Sequence, residues 1–196
     1  MFGGEARVID APCFPQQFGC FQGGPKYEFN LEKAKALMSE AGYANGFETE
    51  FFSFRSRQMS DALTGYMRAI GIKANITHLQ YPAFREKNHG GVTPISHGDW
   101  GSYSIMDVSA LLPNFFAGSK DDFAMDKEIQ DWLTIGGSTA DTAKRQEVYT
   151  KAITKLLDQM YWLPMNTYNV FYAHSKDLDF KPFKDEIPRY YLYGWK

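Results

Sequence analysis

The sequence has little cysteine, no basic cluster, no long apolar run and none of the compact motifs that mark the common enzyme classes. Each absence removes a class of function. Cys13 and Cys20 are the only thiols, and no histidine sits near them, so they do not make a four-ligand zinc site. Two readings stand for the pair: a local disulfide in an oxidising compartment, or two idle thiols. A formal charge of −2, from 21 Lys and Arg against 23 Asp and Glu, gives no reason to expect nucleic acid. No stretch approaches the roughly 18 consecutive apolar residues that a membrane-spanning helix needs. The opening MFGGEARVIDAP has neither a basic region nor an apolar core and does not read as a signal peptide. On this evidence either the protein is cytosolic or its targeting segment lies elsewhere. No HExxH, nucleophile elbow, P-loop or dinucleotide fingerprint occurs. His78, His89, His97 and His174 form no compact ligand set; His89 and His97 could meet across a loop, but solvated single histidines are the favoured reading. Asp121-Asp122 lacks the spacing of a calcium loop. The expectation is a non-enzyme with no cofactor and no metal.

What the sequence does have is aromatic side chains. They make up 16% of its 196 residues, with 12 Tyr and 16 Phe. A chain this long can bury roughly 70% of its unfolded surface, so one large domain, or a domain plus a tail, needs no staples. The stretch Ile95 to Phe116 draws most attention. It opens as a short strand, breaks at Gly98, and presents Trp100, Gly101, Ser102 and Tyr103 in a row before an apolar turn. Amphipathic rings beside glycine and small hydroxyls suit a pocket wall, because rings give contact area at low entropic cost and glycine admits a ligand to the backbone. Asp99 and Asp107 are the nearest charges, and an acidic group beside rings suits the cationic end of a ligand. The competing reading makes Trp100 and Tyr103 core aromatics at a strand end.

Periodicity supplies the elements around this stretch. Residues 1–27 read as an extended lead broken by glycine and proline. Asn30 to Ala41 reads as a helix capped by Asn30 and stopped by Gly42, with Leu31, Ala34, Leu37, Met38 and Ala41 as its inward stripe. A strand over Phe47 to Phe54 follows, then a polar loop from Arg55 to Gln58. A second helix runs from Met59 to Ile70, with Leu63, Tyr66, Met67 and Ile70 inward, and a strand from Ile72 to Leu79. Tyr81 to Asn88 reads as a short helix begun by Pro82. This helix–strand alternation predicts an α/β layer with parallel pairing. Further on, Asp126 caps a helix that breaks at Gly136-Gly137. The longest helix runs from Thr139 to Met160, with Val148, Tyr149, Ala152, Ile153, Leu156, Leu157 and Met160 as its buried stripe and Asp141–Arg145 and Glu147–Lys151 as i,i+4 pairs on its wet side. Trp162 to Ala173 reads as a strand. Residues 176–196 show no period.

The run from Tyr27 to Phe47, YEFNLEKAKALMSEAGYANGF, resembles a phrase in the second lobe of the bacterial family 5 extracellular solute-binding proteins. These are the dipeptide, oligopeptide, nickel and opine binders of ABC importers. The likeness continues through Ala69 to Lys73, the Trp100 loop, the helix around Arg145 to Asp158 and the Trp162 to Met165 run. The resemblance implies an α/β fold with a mixed sheet flanked by helices, one lobe of a two-lobed type II periplasmic binding protein. On that basis residues 28–175 form the ligand-binding lobe, 1–27 a lead-in segment, and 176–196 a tail packing on an absent N-terminal lobe. A signal peptide lies outside this chain. The implied partners are a small solute such as a peptide or opine and an ABC permease in the inner membrane, with a periplasmic location and no nucleic acid. A protein exported in this way can carry Cys13–Cys20 as a disulfide. Six intervening residues suffice to bring the Cα atoms within the roughly 4.4–6.8 Å required.

Carried over by position, Trp100 matches the tryptophan of the ligand-contacting strand end, with Gly101 and Ser102 beside it. Tyr81 matches an aromatic residue lining the cleft, and Arg55 or Arg57 the arginine that holds a peptide carboxylate. Peptide binders commonly place an aspartate three residues after that tryptophan. Here the position is Tyr103, and Asp107 lies one turn further on. Selectivity for an opine or a modified peptide is therefore as open as selectivity for a peptide. The lobe alone is expected to fold while binding weakly. The runner-up is a stand-alone extracellular interaction module that docks a protein through its aromatic tail.

Overall fold

The computed structural model describes residues 6–183 and 185–196. The first five residues of the predicted lead lie outside that range. The chain divides into two compact units, one formed by Tyr27–Trp100 and the other by Gly101–Lys196 together with the segment ending at Lys26. Among the described residues no helix is long and apolar enough to cross a membrane.

The first unit is a three-stranded parallel sheet with helices. Strand β1 (Phe47–Ser53) lies between β2 (Ile72–His78) and β3 (Ile95–His97), in the order β2-β1-β3. Parallel pairing is the outcome expected from the alternation of helix and strand. Phe51 and Phe52 are buried on β1. The turns that precede β1 and β2 approach so closely that a Cβ on Gly46 would lie 2.0 Å from the Gly71 carbonyl oxygen. Glycine is required there. Helix α1 (Leu31–Glu40) is capped as expected, with Asn30 Oδ1 accepting from the Lys33 amide at 2.8 Å. None of its residues is buried, however, and Leu37 is exposed. The stripe was legible, but periodicity cannot supply a surface to cover it.

Helix α2 (Arg57–Ala69) starts two residues before the predicted Met59, so Arg57 opens the helix and does not sit in a loop. Its buried residues are Met59, Ser60 and Thr64, while Tyr66 points outward against Phe29. Two hydroxyls can face inward because each donates to a carbonyl one turn back: Ser60 to Ser56 at 3.3 Å and Thr64 to Ser60 at 3.0 Å. Helix α3 (Tyr81–His89) begins with Pro82 in its first turn, as expected.

The second unit is helical. It contains α4 (Leu112–Phe116), α5 (Lys127–Ser138) and α6 (Thr142–Asp158), and α5 packs on α6. Asp126 caps α5 by accepting from the Glu128 and Ile129 amides, and Asp141 caps α6 through Ala143 and Lys144. Six residues of the predicted α6 stripe, Val148, Tyr149, Ala152, Ile153, Leu156 and Leu157, are buried; the seventh, Met160, lies past the end of the helix and is only half-buried. Three expectations are corrected here. Gly136-Gly137 does not break α5, which continues to Ser138. A Cβ on Gly136 would lie 2.5 Å from the Tyr149 ring, so this glycine serves close packing between helices. Arg145 does not pair with Asp141, whose carboxylate is used as a cap; it reaches Asp107 instead. Trp162 to Ala173 forms no strand. Among the described residues its extended pairing is a bridge between Val8 and Asn166, flanked by bonds from Ile9 to Met165 and from Thr167 to Arg7, too short to give the β-favouring residues a ladder. Glu147–Lys151 forms as expected at 2.6 Å.

The segment after residue 175 has structure of its own. Strand β4 (Leu178–Asp179) pairs antiparallel with β5 (Gly194–Trp195). Phe180 sits within 5.3 Å, centroid to centroid, of Tyr172, His174 and Tyr193. Cys13 and Cys20 are joined in a disulfide with Cα atoms 5.8 Å apart, within the range expected from their spacing.

Candidate functional site

Three connections leave the carboxyl ends of the three parallel strands, and they carry the candidate residues of the first unit. Phe54 and Arg55 follow β1, Tyr81 follows β2, and Gly98, Asp99 and Trp100 follow β3. Open α/β sheets place ligands at this rim. Phe54 is its centre: its ring lies 5.0 Å from Tyr81 and 4.8 Å from Phe84, and the Arg55 guanidinium stacks on it at 4.7 Å. A Cβ on Gly98 would meet the same ring at 2.9 Å, so glycine lets the β3 loop pass close to it. Arg55 pairs with Asp99. The rim thus gathers Arg55, Tyr81 and the Asp99–Trp100 loop around Phe54, a residue that sequence reasoning passed over. Arg57 opens α2 and is exposed on its first turn.

Under the rim the last strand residues form a row. Ser53 is opposite His78 in one register and opposite His97 in the other. Register partners on adjacent parallel strands face the same side, so imidazole, hydroxyl and imidazole stand side by side. His97 is buried; its Nδ1 is 3.2 Å from Ser53 Oγ and 3.5 Å from Ser60 Oγ. His97 Nε2 and His78 Nε2 have no hydrogen-bond partner among the described residues. Burial is the main cause that holds the His97 pKa below its ordinary 6.5; Asp99 acts against it, while Arg55 and His78 add to it. His97 is therefore not one of the solvated single histidines expected, since it is buried against Ser53 and Ser60, whereas His89 is exposed on α3. Among the described residues no group of three His, Cys, Asp or Glu is placed to hold a metal ion.

The buried neutral histidine sets a pH response. Between pH 6.5 and the lower folded value, the unfolded chain takes up a proton that the folded chain refuses, so stability falls with acidification through that window. His97→Gln is expected to flatten the fall in melting temperature between pH 7 and 5. An unchanged slope in the variant contradicts the assignment.

The second unit carries the rest of the candidate residues on one distorted turn. Ser102, Tyr103 and Ser104 have φ of 52°, 51° and 59°, three successive non-glycine residues in the left-handed region. Such residues cost on the order of 1–3 kcal/mol each and persist only where the surroundings over-determine them. Ser104 donates to the Gly101 carbonyl and Ile105 to that of Ser102, both at 2.9 Å. Ser102 is buried by this winding, and Tyr103 is thrown out, 66% exposed. Asp107 follows, accepting from the Ser109 amide at 2.9 Å and from Arg145 through both of its oxygens, at 3.0 and 2.8 Å. Burial raises the Asp107 pKa, but Ser109 and Arg145 outweigh it and hold the carboxyl below its ordinary 3.8. The acidic charges of Asp99 and Asp107 are thus each matched by an arginine of the same unit. Arg145 has no sequence signal for this role, since its partner is 38 residues away.

The model of the bacterial extracellular solute-binding proteins, family 5 Middle, matches residues 1–123. The chain belongs to that family. The glutathione-binding protein GsiB of Escherichia coli K12 is 25% identical over 182 residues, covering 84% of this chain and 35% of its own length. The fold is that of the type II periplasmic binding proteins. HbpA2 from Haemophilus parasuis superposes with a TM-score of 0.81 at 23% identity, over all of this chain and 41% of that one. The periplasmic binding protein DppA from Helicobacter pylori, solved with the peptide STSA, gives 0.73 at 21% identity, over 82% and 33%. This family 5 chain therefore spans about a third of the length of the curated relatives it matches. GsiB and DppA are named as binding proteins and not as enzymes.

Proposed function

We propose that the chain is the solute-capturing part of a substrate-binding component of an ABC importer. It takes a small peptide or an opine-like compound in the periplasm for delivery to a membrane permease. The observation that carries this reading is family membership, joined to an aromatic and arginine-bearing rim at the carboxyl ends of the parallel strands. Arg55, Arg57, Tyr81 and Trp100 are the contacts proposed in the first unit, and Gly101, Ser102 and Tyr103 those in the second. Asp107 belongs with the latter as the carboxylate that holds the turn. Arg55 offers a guanidinium to a solute carboxylate in competition with Asp99, and Tyr81 and Trp100 offer ring faces. Residues 28–175 act as the binding lobe in this reading, and the aromatic segment from 176 onward packs on a first lobe.

Isothermal calorimetry with glutathione, a hydrophobic dipeptide and an opine tests it. Trp100→Ala is expected to weaken the best of these solutes at least tenfold, with the melting temperature little changed. Equal affinity in the variant would remove Trp100 from the site, and the absence of binding by every solute at millimolar concentration would remove the function.

A further inference from the structure

The left-handed turn at Ser102–Ser104 runs directly into backbone that is bonded to the segment around Cys13 and Cys20. The disulfide between Cys13 and Cys20 closes a short loop wound around Gln17. Inside it the Gln17 amide donates to the Phe14 carbonyl at 2.9 Å and Cys20 to Gln17 at 3.1 Å. The buried Gln17 side chain uses both of its ends: Oε1 accepts from the Phe14 amide at 2.9 Å, and Nε2 donates to the Ile105 carbonyl at 2.8 Å. Its neighbour Phe18 continues the contact as a parallel bridge to Asp107, with Phe18 donating to Met106 at 2.9 Å and Val108 to Phe18 at 3.0 Å. The Phe18 ring then lies under the Arg145 guanidinium at 4.8 Å, and Arg145 holds Asp107. Gly19, at φ +82°, passes so close to Tyr149 and Val108 that a Cβ there would lie 2.6 and 2.7 Å from them. The Ile105 and Met106 carbonyls and the Val108 amide, immediately after the strained turn, are therefore all bonded to the cystine loop.

We propose that the Cys13–Cys20 loop is a positioning clamp for the solute-facing turn, with Gln17 as its central positioning residue. Closure of the loop by the disulfide is then a condition for the shape in which Tyr103 is presented. The cost of three left-handed residues is met by contacts from a segment more than 80 residues away in sequence, and that segment stays in shape because it is cross-linked. Without the cross-link the turn should relax while the helical core, built on α5 and α6, stays folded. The solute-facing role of Tyr103 rests on the reading given above. The clamp itself is a statement about local stability and is measured without solute, so the two fail separately.

Native-state amide exchange followed by NMR on the whole chain, without ligand, tests it in two variants: Cys13→Ser with Cys20→Ser, and Gln17→Leu with the disulfide intact. The clamp predicts at least tenfold faster exchange, equal to about 1.4 kcal/mol of local stability, at the amides of Phe18, Ser104, Ile105 and Val108. The α6 amides of Ile153 and Leu156 should change less than threefold. Equal acceleration at both sets would show that the disulfide only stabilises the unit as a whole. Unchanged exchange at Ser104 and Ile105 would show that the turn holds itself. Either result overturns the clamp. The Gln17→Leu variant keeps the question decidable if loss of the disulfide unfolds the unit.

Discussion

Tyr149→Ala is expected to destabilise the second unit by about 4 kcal/mol, the mean cost of emptying a large buried aromatic site. Tyr149 is fully buried. Two glycine backbones, Gly19 and Gly136, lie against opposite parts of its ring, with Cβ positions that would fall 2.6 and 2.5 Å from it. Backbone that close cannot collapse into the space left behind, so the cavity persists and the cost is not relieved. At about 2–4 °C per kcal/mol for a chain of this size, the melting temperature should fall by about 8–16 °C. Tyr149→Phe should cost only about 1 kcal/mol, because it removes just the hydroxyl that accepts from Arg145 at 3.3 Å. Thermal melting of the two variants checks the pair. Similar losses in both would place the weight on the hydroxyl and not on the ring.

Arg145→Ala is expected to cost about 2–3 kcal/mol, below the range for fully buried pairs because the site is partly wet. Its side chain and that of Asp107 are 19% and 22% exposed. The substitution removes more than one charge pair. Arg145 also donates from Nε to the Gly136 carbonyl at 3.1 Å and stacks on the rings of Phe18 and Tyr149. Lysine is expected to recover less than half of the loss, since it lacks the planar fork and the stacking face. The pH dependence has a definite sign. The Asp107 carboxyl is held below its ordinary 3.8 in the folded chain, so its contribution is complete above that value and lost as pH falls through the folded one. Wild type and Arg145→Ala should therefore differ by the full amount from pH 7 down to 3.8, and the difference should shrink only as pH falls below that value. A difference that stays constant below pH 3.8 would remove the ion pair from the explanation.

Much of the fold could be read from the sequence, because local rules and tertiary structure agree in it. The caps at Asn30 and Asp126, the stop at Gly42 and the α6 stripe are properties of neighbouring residues, and each is found where expected. The failures share a cause. Gly136 read as a break because glycine is a poor helix former, yet the reason for it is a ring that arrives from another helix. Asp141 and Arg145 have ideal spacing for a pair, but the amides at the start of α6 claim the first and a distant carboxylate claims the second. Residues 162–173 favour a strand and, among the described residues, find only the bridge from Asn166 to Val8.

The candidate site was half legible. Trp100 and Tyr103 drew attention as rings beside glycine, but three non-glycine residues in a row gave no sign of the left-handed turn. Phe54, the centre of the rim, looked like one more core residue of a strand. Gln17 and Arg145 carry no motif at all, since their roles depend on segments 88 and 38 residues away.

The central claim, that the rim at the carboxyl ends of the parallel strands receives a small solute, is tested most directly by titrating the isotope-labelled chain with glutathione and with dipeptides under NMR observation. The account predicts saturable shifts at Phe54, Arg55, Tyr81 and residues 98–100, with the buried α6 amides unmoved. The chain also has a second aromatic surface, a cavity of about 420 Å³ lined by residues such as Phe180, Tyr190 and Trp195. Shifts confined to that surface, or no shifts at all up to millimolar solute, would contradict the account.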